Sequence, residues 1–274
     1  MSPSSAIFAP FHAQGVPPMG RINWIGLWTL YLKEVRRFVK VLTQTIAAPV
    51  ITTLLYLVIF ALSLGSMRPA VHGVPFVQFL APGLIMMTMI QNAFANTSSS
   101  ILISKVQGNI VDVLMPPLSA LELNIAFSMA GVTRGLVVGL ATAIVMLPFV
   151  PMHIEHIWAL PFFAIGASLM LALLGILGGI WSEKFDHMQA ITNFVVLPLT
   201  FLSGTFYSVE QLPPLANTIT HYNPIFYLID GFRYAFTGQA DGSLAIGIAI
   251  VVSVNLALWI ICQKLLQRGY RLKS

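Results

Sequence analysis

Apolar residues run for about twenty positions at a time along most of this chain, with short polar clusters between the runs. A helix crossing a hydrocarbon core of about 30 Å needs about 20 mostly apolar residues. Six runs meet that length, at 42–64, 76–96, 125–149, 158–181, 190–207 and 244–266. Helices suit lipid because they satisfy every backbone hydrogen bond within the segment. A membrane β-barrel would show alternating segments of about ten residues, and these runs are longer and unbroken. The pattern therefore predicts an all-α polytopic membrane protein with six transmembrane helices.

Three further segments are patterned but do not cross. Residues 24–40 are amphipathic. At 100° per residue, Trp24, Leu27, Trp28, Tyr31, Val35, Phe38 and Val39 share one face, and Lys33, Arg36, Arg37 and Lys40 share the other. This predicts an interfacial helix on the inner leaflet, its basic side meeting headgroups or a cytosolic partner. Residues 98–124 form a connection in which Ile110, Val111, Val113, Leu114 and Met115 make a short apolar helix stopped by Pro116 and Pro117. A short helix with a stiff end can transmit force; a plain connecting loop is the simpler alternative. Residues 208–242 are too polar to cross but hold Tyr222, Phe226, Tyr227, Phe232, Tyr234 and Phe236. They predict short re-entrant helices at the outer interface, either an aromatic belt or a lining along which an amphipathic substrate leaves. The organisation is thus a flexible tail over 1–22, an amphipathic connecting helix over 23–41 and a six-span domain over 42–274.

Composition agrees with this picture. The 274 residues are 57% hydrophobic and 8% charged, against about 25% charged in a soluble domain. A single cysteine, Cys262, excludes an internal disulfide. The net charge of +5 does not point to nucleic acid, because the cations sit at the ends of apolar runs. With six crossings both termini share a side. That side holds Arg21, Lys33, Arg36, Arg37, Lys40, Lys105, Lys184, Lys264, Arg268, Arg271 and Lys273, and the other holds Arg68 and Arg233. Eleven against two predicts cytoplasmic termini. Residues 1–20 lack the basic region of a cleavable signal.

The chain shows little chemistry of its own. No lysine follows a glycine, so there is no Walker A loop. His153, Glu155 and His156 are a short cluster in an external loop, and no metal is expected there. No predicted span contains a histidine or a pair of aspartates, which argues against an intramembrane protease. Arg134 lies inside the third span, where a cation costs roughly 2.5–3.5 kcal/mol and must pair, snorkel or face water. Glu183 and Asp186 are its candidate partners, and its role is either structural or on a substrate route. Gln91, Asn92, Asn96 and Asn193 add polar groups at membrane depth. Gly131, Gly135 and Gly139, with Gly175, Gly178 and Gly179, form small-residue stripes for close helix packing.

Three stretches carry a resemblance. They are the run Gly108 to Glu122 with its Met115-Pro116-Pro117, the Thr133-Arg134-Gly135 triplet, and Asn223-Pro224 through Asp230-Gly231-Phe232-Arg233-Tyr234 after Leu212-Pro213-Pro214. In these the chain resembles the type-two permeases of ABC transporters, exporters of polysaccharides, lipo-oligosaccharides and drugs. The resemblance covers nearly everything beyond the tail, which is outside the family's usual pattern. It implies a bacterial inner-membrane subunit that pairs with a second permease subunit as a homodimer or a heterodimer. Two separate ATPase subunits would bind ATP and Mg; this chain would hold no cofactor and catalyse nothing. Val106, Ile110, Val111, Asp112, Leu114, Met115 and Pro116 would form the coupling helix that fits the ATPase, with Lys33, Arg36, Arg37 and Lys40 on the connecting helix beside it. A proline at Ile110 is expected to break that lever. The cargo would be amphipathic. A polytopic membrane enzyme or scaffold acting alone is the alternative from another class.

Overall fold

The structure, a computed structural model, describes residues 22–65, 70–71 and 73–271. The expected flexible tail lies outside the described residues, as do Arg21, Arg68 and Lys273 of the charge count. The chain opens with α1 (Trp24–Val39), which passes through a π-helical turn at Thr43–Ala47 into α2 (Ala48–Leu64). A two-residue antiparallel ribbon, Ala70–Val71 with Val74–Pro75, turns the chain into α3 (Phe76–Val106). Then follow α4 (Ile110–Leu114), α5 (Ala120–Met146), α6 (Ala159–Trp181), α7 (Phe185–Ile191) and α8 (Leu197–Phe201). The last helices are α9 (Pro214–Tyr222), α10 (Pro224–Thr237) and α11 (Leu244–Arg268).

Five helices among the described residues are long and apolar enough to cross a membrane: Thr43–Ser63, Phe76–Val106, Ala120–Met146, Ala159–Trp181 and Leu244–Arg268. The expected run over 190–207 is different. Its helix begins earlier, at Phe185, continues through a π turn at Thr192–Val196, and ends at Phe201. At 1.5 Å per residue that is about 25 Å. Residues 202–207 leave the helix, and Gly204 takes a left-handed φ of 73°.

Contacts at the two ends show that this shorter segment still joins opposite faces. At one end, Lys105 Nζ donates to the carbonyls of Ile180 and Ser182, each at 2.7 Å, and Arg271 Nη1 donates to Trp181 at 3.3 Å. The ends of α3, α6 and α11 therefore share a face, which is also the basic one. At the other end, the N–H groups of Glu155 and His156 donate to the Ala235 carbonyl at 2.9 and 3.1 Å. Arg233 there reaches Phe79 and Gly204. Between Ser182 and Gly204 the chain goes from one face to the other.

α3 is the central helix: 83% of its most apolar window is buried, against 22% for the first span and 11% for α11. Lipid offers no hydrophobic drive between helices, so close backbone approach must supply the packing. A Cβ at Gly175 would sit 2.6 Å from the Phe94 carbonyl, and one at Gly135 would sit 3.0 Å from the Met89 carbonyl. The two glycine stripes thus admit α3 between α5 and α6. Thr97 uses the proximity to donate to the Ala172 carbonyl at 2.7 Å.

Candidate coupling end and intramembrane polar site

Gly108, at φ 74°, ends α3 in the left-handed conformation that a side chain resists, and turns the chain into α4. Pro116 and Pro117 stop α4 within two turns. Ser119 then starts α5 through a capping box: its hydroxyl accepts the Glu122 N–H at 3.3 Å, and the Glu122 carboxylate accepts the Ser119 N–H at 2.6 Å. The same carboxylate accepts the backbone N–H of Asn23, at the entry to α1. Asn23 caps α1 by accepting from Gly26 at 2.9 Å and donates its amide to Pro117 at 3.3 Å. Glu122 therefore joins the starts of α1 and α5 and the end of the α4 loop at one point. An open groove of about 440 Å³ runs between α1 and this loop, lined by Gly26, Leu30, Lys33, Val113 and Pro117 among others.

The predicted coupling residues divide by burial. Val106, Val111, Asp112, Met115 and Pro116 are exposed, with Met115 at 76%. Ile110 and Val113 are buried, and Leu114 is half-buried. Ile110 is also the first residue of α4, a position where proline fits a helix. Pro at Ile110 would therefore act at the start of α4 and not in its interior: it removes a buried side chain and disfavours the ψ of 14° that Asn109 holds before it.

α1 is two-faced, and one stripe of it packs inside the chain. Its buried stripe is Leu27, Leu30, Glu34 and Phe38, at helical spacing, while Trp24, Ile25 and Trp28 are exposed. Lys33, Arg36 and Lys40 face outward as expected, but Arg37 turns inward. Its guanidinium donates to the Asn96 carbonyl at 2.6 Å, to Asn96 Oδ1 at 3.1 Å and to Ser99 Oγ at 3.1 Å. Its Nε pairs with Glu34 at 3.1 Å; Lys33 lies 3.7 Å from the other carboxylate oxygen. Glu34 is 0% exposed, so this pairing lets a carboxylate sit in the packed stripe. Asn96 and Ser99 joined no predicted role with Arg37, and Glu34 was unmarked by the helical wheel.

One turn along α3, Arg134 Nη2 donates to Asn92 Oδ1 at 3.0 Å. Neither Glu183 nor Asp186 is its partner; Glu183 lies 3.9 Å from Arg271. Gln91 stands beside Asn92 with a buried, unbonded Nε2. Asn193 is apart from this group, exposed, and accepts from Gln189 at 2.9 Å.

The outer segment is a set of pins. Asn223 caps α10 through Ile225 and donates to Leu199 and Ser203, both at 2.8 Å. Asp230 accepts the backbone N–H groups of Asp241 at 2.8 Å and Gly242 at 3.0 Å. Burial pushes the Asp230 carboxyl above the usual carboxylate range, against the pull of those donors and of Arg233. Gly231 lets the Phe163 ring rest on the α10 backbone. Arg233 is 2% exposed; it donates to Phe79 at 3.2 Å and Gly204 at 2.7 Å and lies 3.8 Å over the Phe79 ring. Of the aromatics expected at the outer interface, Phe226, Tyr227 and Phe232 are buried in this chain, as is Arg233 among them; Tyr234, stacked on His156, and Phe236 are half-buried, and Tyr222 is exposed.

The ABC-2 type transporter family model matches residues 26–237. The inner membrane transport permease YadH of Escherichia coli strain K12 is 38% identical over 257 residues, covering 93% of this chain and 100% of that protein. Nodulation protein J of Rhizobium leguminosarum bv. viciae is 26% identical, covering 92% and 96%. Nodulation protein J of Neorhizobium galegae is 24% identical, covering 88% and 94%.

Proposed function

This chain belongs to the ABC-2 type transporter family and is a multi-pass membrane transport permease, and we propose that it is the membrane subunit of an exporter driven by a separate ATPase. ATP and Mg bind in two ATPase subunits, which grip the basic face; a second copy of this permease completes the assembly. The cargo is an amphipathic molecule: a lipid, a glycolipid or polysaccharide, or a drug. The membrane is the bacterial inner membrane, as the name of the relative in Escherichia coli says of that protein, and both termini are cytoplasmic, following the basic residues.

One observation carries the reading. The exposed apolar side chains of Val111 and Met115 stand at the basic end of the molecule, on a loop tied through Glu122 to the starts of both α1 and α5. An apolar patch on an aqueous face is where a protein partner docks. A push on that loop reaches two helices at once. ATP moves the equilibrium only through contacts that differ between the two states, and this loop is where such contacts would form. Co-purification from native membranes tests it: an ATPase without membrane spans should accompany the chain, and its absence would defeat the reading.

A further inference from the structure

Two arginines meet the same face of α3 one helical turn apart, Arg37 on Asn96 and Arg134 on Asn92. The local charge does not balance. Glu34 is the one carboxylate at the cluster, and it is already engaged by Arg37 and Lys33. No carboxylate lies within ion-pair distance of Arg134 among the described residues. Three buried side-chain atoms here lack a hydrogen-bond partner: Arg134 Nε, Gln91 Nε2 next to Asn92 in the sequence, and Glu34 Oε1, which faces Lys33 at 3.7 Å. The Glu34 oxygen faces Lys33 at the Arg37 end, whereas the Arg134 end holds an unpaired donor and no carboxylate, so it is that end which lacks an acceptor. A fully packed structural site would be expected to satisfy that donor, because an unpaired buried donor is costly.

The depth narrows the acceptor. α3 enters at Phe76 on the outer side, and about twenty residues of helix span the hydrocarbon core. Asn96 therefore lies near the inner boundary, at the level of headgroups, with Asn92 a turn deeper. The Arg37 side chain is 30% exposed and Arg134 is half-buried, so both can be reached from the chain's surface. Forked guanidinium donors match the oxygens of a phosphate group, and an apolar surround strengthens the contact.

We propose that Arg37 and Arg134, seated on Asn96 and Asn92, form a phosphate-binding subsite that receives the anionic head of the cargo at the inner boundary of the membrane. The proposal rests on the export reading above and names the chemistry of its substrate. The phosphate can belong to a lipid-like molecule or be a free ion, and the test separates them.

The full-length protein in neutral-lipid nanodiscs is titrated with dodecyl phosphate, with dodecanol as a chain of equal length lacking the anion, and with inorganic phosphate. Dodecyl phosphate should bind, dodecanol should bind markedly less, and Arg134→Gln should weaken dodecyl phosphate roughly tenfold, the scale of one charge-assisted hydrogen bond. Arg134→Lys should weaken it less, because charge remains but the fork is lost. Arg271→Gln, a surface cation elsewhere on the basic face, should change nothing. Competition by inorganic phosphate at equal Arg134 dependence assigns the site to the free ion; binding by dodecyl phosphate alone assigns it to a lipid head. Arg37→Gln, on a different helix, is read in parallel should Arg134→Gln misfold. Unchanged dodecyl phosphate binding in folded Arg134→Gln, or an equal loss for dodecanol, overturns the proposal. Binding needs no ATPase, so this result stands apart from the co-purification test of the transport reading.

Discussion

The Glu122 carboxylate accepts the backbone N–H of Asn23 from 99 positions away while also closing the capping box of its own helix at Ser119. One side chain thus fixes the entry of α1 against the entry of α5. Glu122→Ala leaves two backbone donors without that acceptor. We expect a loss of about 1–3 kcal/mol in stability, since Asn23 and Ser119 can partly recover water. Glu122→Gln should lose less, because it keeps one acceptor oxygen. Thermal unfolding in detergent measures both, and the ATPase activity of the assembled complex should fall out of step with transport in the alanine variant. Equal melting and coupling in all three proteins would contradict the joint.

Met115 and Ile110 belong to one short segment but make opposite predictions. Met115 is 76% exposed and Ile110 is 6% exposed. Met115→Asp should leave folding within about 0.5 kcal/mol of the parent, as surface changes do, and should abolish retention of the ATPase on affinity purification. Ile110→Ala should cost about 2–5 kcal/mol as a buried truncation. Retention of the ATPase by Met115→Asp at the parental level would remove α4 from the contact.

The spans were legible because a twenty-residue apolar run has few alternatives in a chain this poor in charge. The crossing over 185–201 was misplaced by composition. The aromatic loop at 202–207 is as apolar as a helix end, and hydropathy does not register the left-handed turn at Gly204. The serine and glutamate of the capping box, at 119 and 122, could have been read from their spacing. Glu34 could not. A helical wheel marks a carboxylate as solvated, and what allows its burial is the pairing with Arg37, whose guanidinium is turned inward by Asn96, 59 positions away. The motif from Asn223 to Arg233 was visible as a pattern, but its partners at Phe79, Gly204 and Asp241 are supplied only by the fold.

Orientation follows from the basic face. Lys33, Arg36, Lys40, Lys105, Lys264 and Arg271 gather at the end where α3, α6 and α11 finish. A phosphatase reporter fused after residue 274 should be inactive, and a cytoplasmic fluorescent reporter there should be active. The same phosphatase placed at Gly238, on the opposite face, should be active. Reversal of either pair would invert the molecule and move α4 away from any cytosolic ATPase.

Arg233 distinguishes an architectural outer segment from one that lines a route. Its guanidinium satisfies the Phe79 and Gly204 carbonyls and covers the Phe79 ring. It thereby ties α10 to α3 and to the loop that ends the crossing over 185–201. Arg233→Ala removes two hydrogen bonds to a charged donor, each worth about 1.5–3 kcal/mol, and leaves two carbonyls seeking partners. We expect a total loss of about 3–5 kcal/mol, the usual cost of breaking a buried charged contact. Arg233→Lys should recover only part, because an ammonium cannot reproduce the fork that reaches both carbonyls. Protease sensitivity of the loop at 202–212, compared with that of α3, reads the effect directly: cleavage in the loop should rise first. An Arg233→Ala protein that melts like its parent but changes cargo preference would instead make this residue part of the exit route.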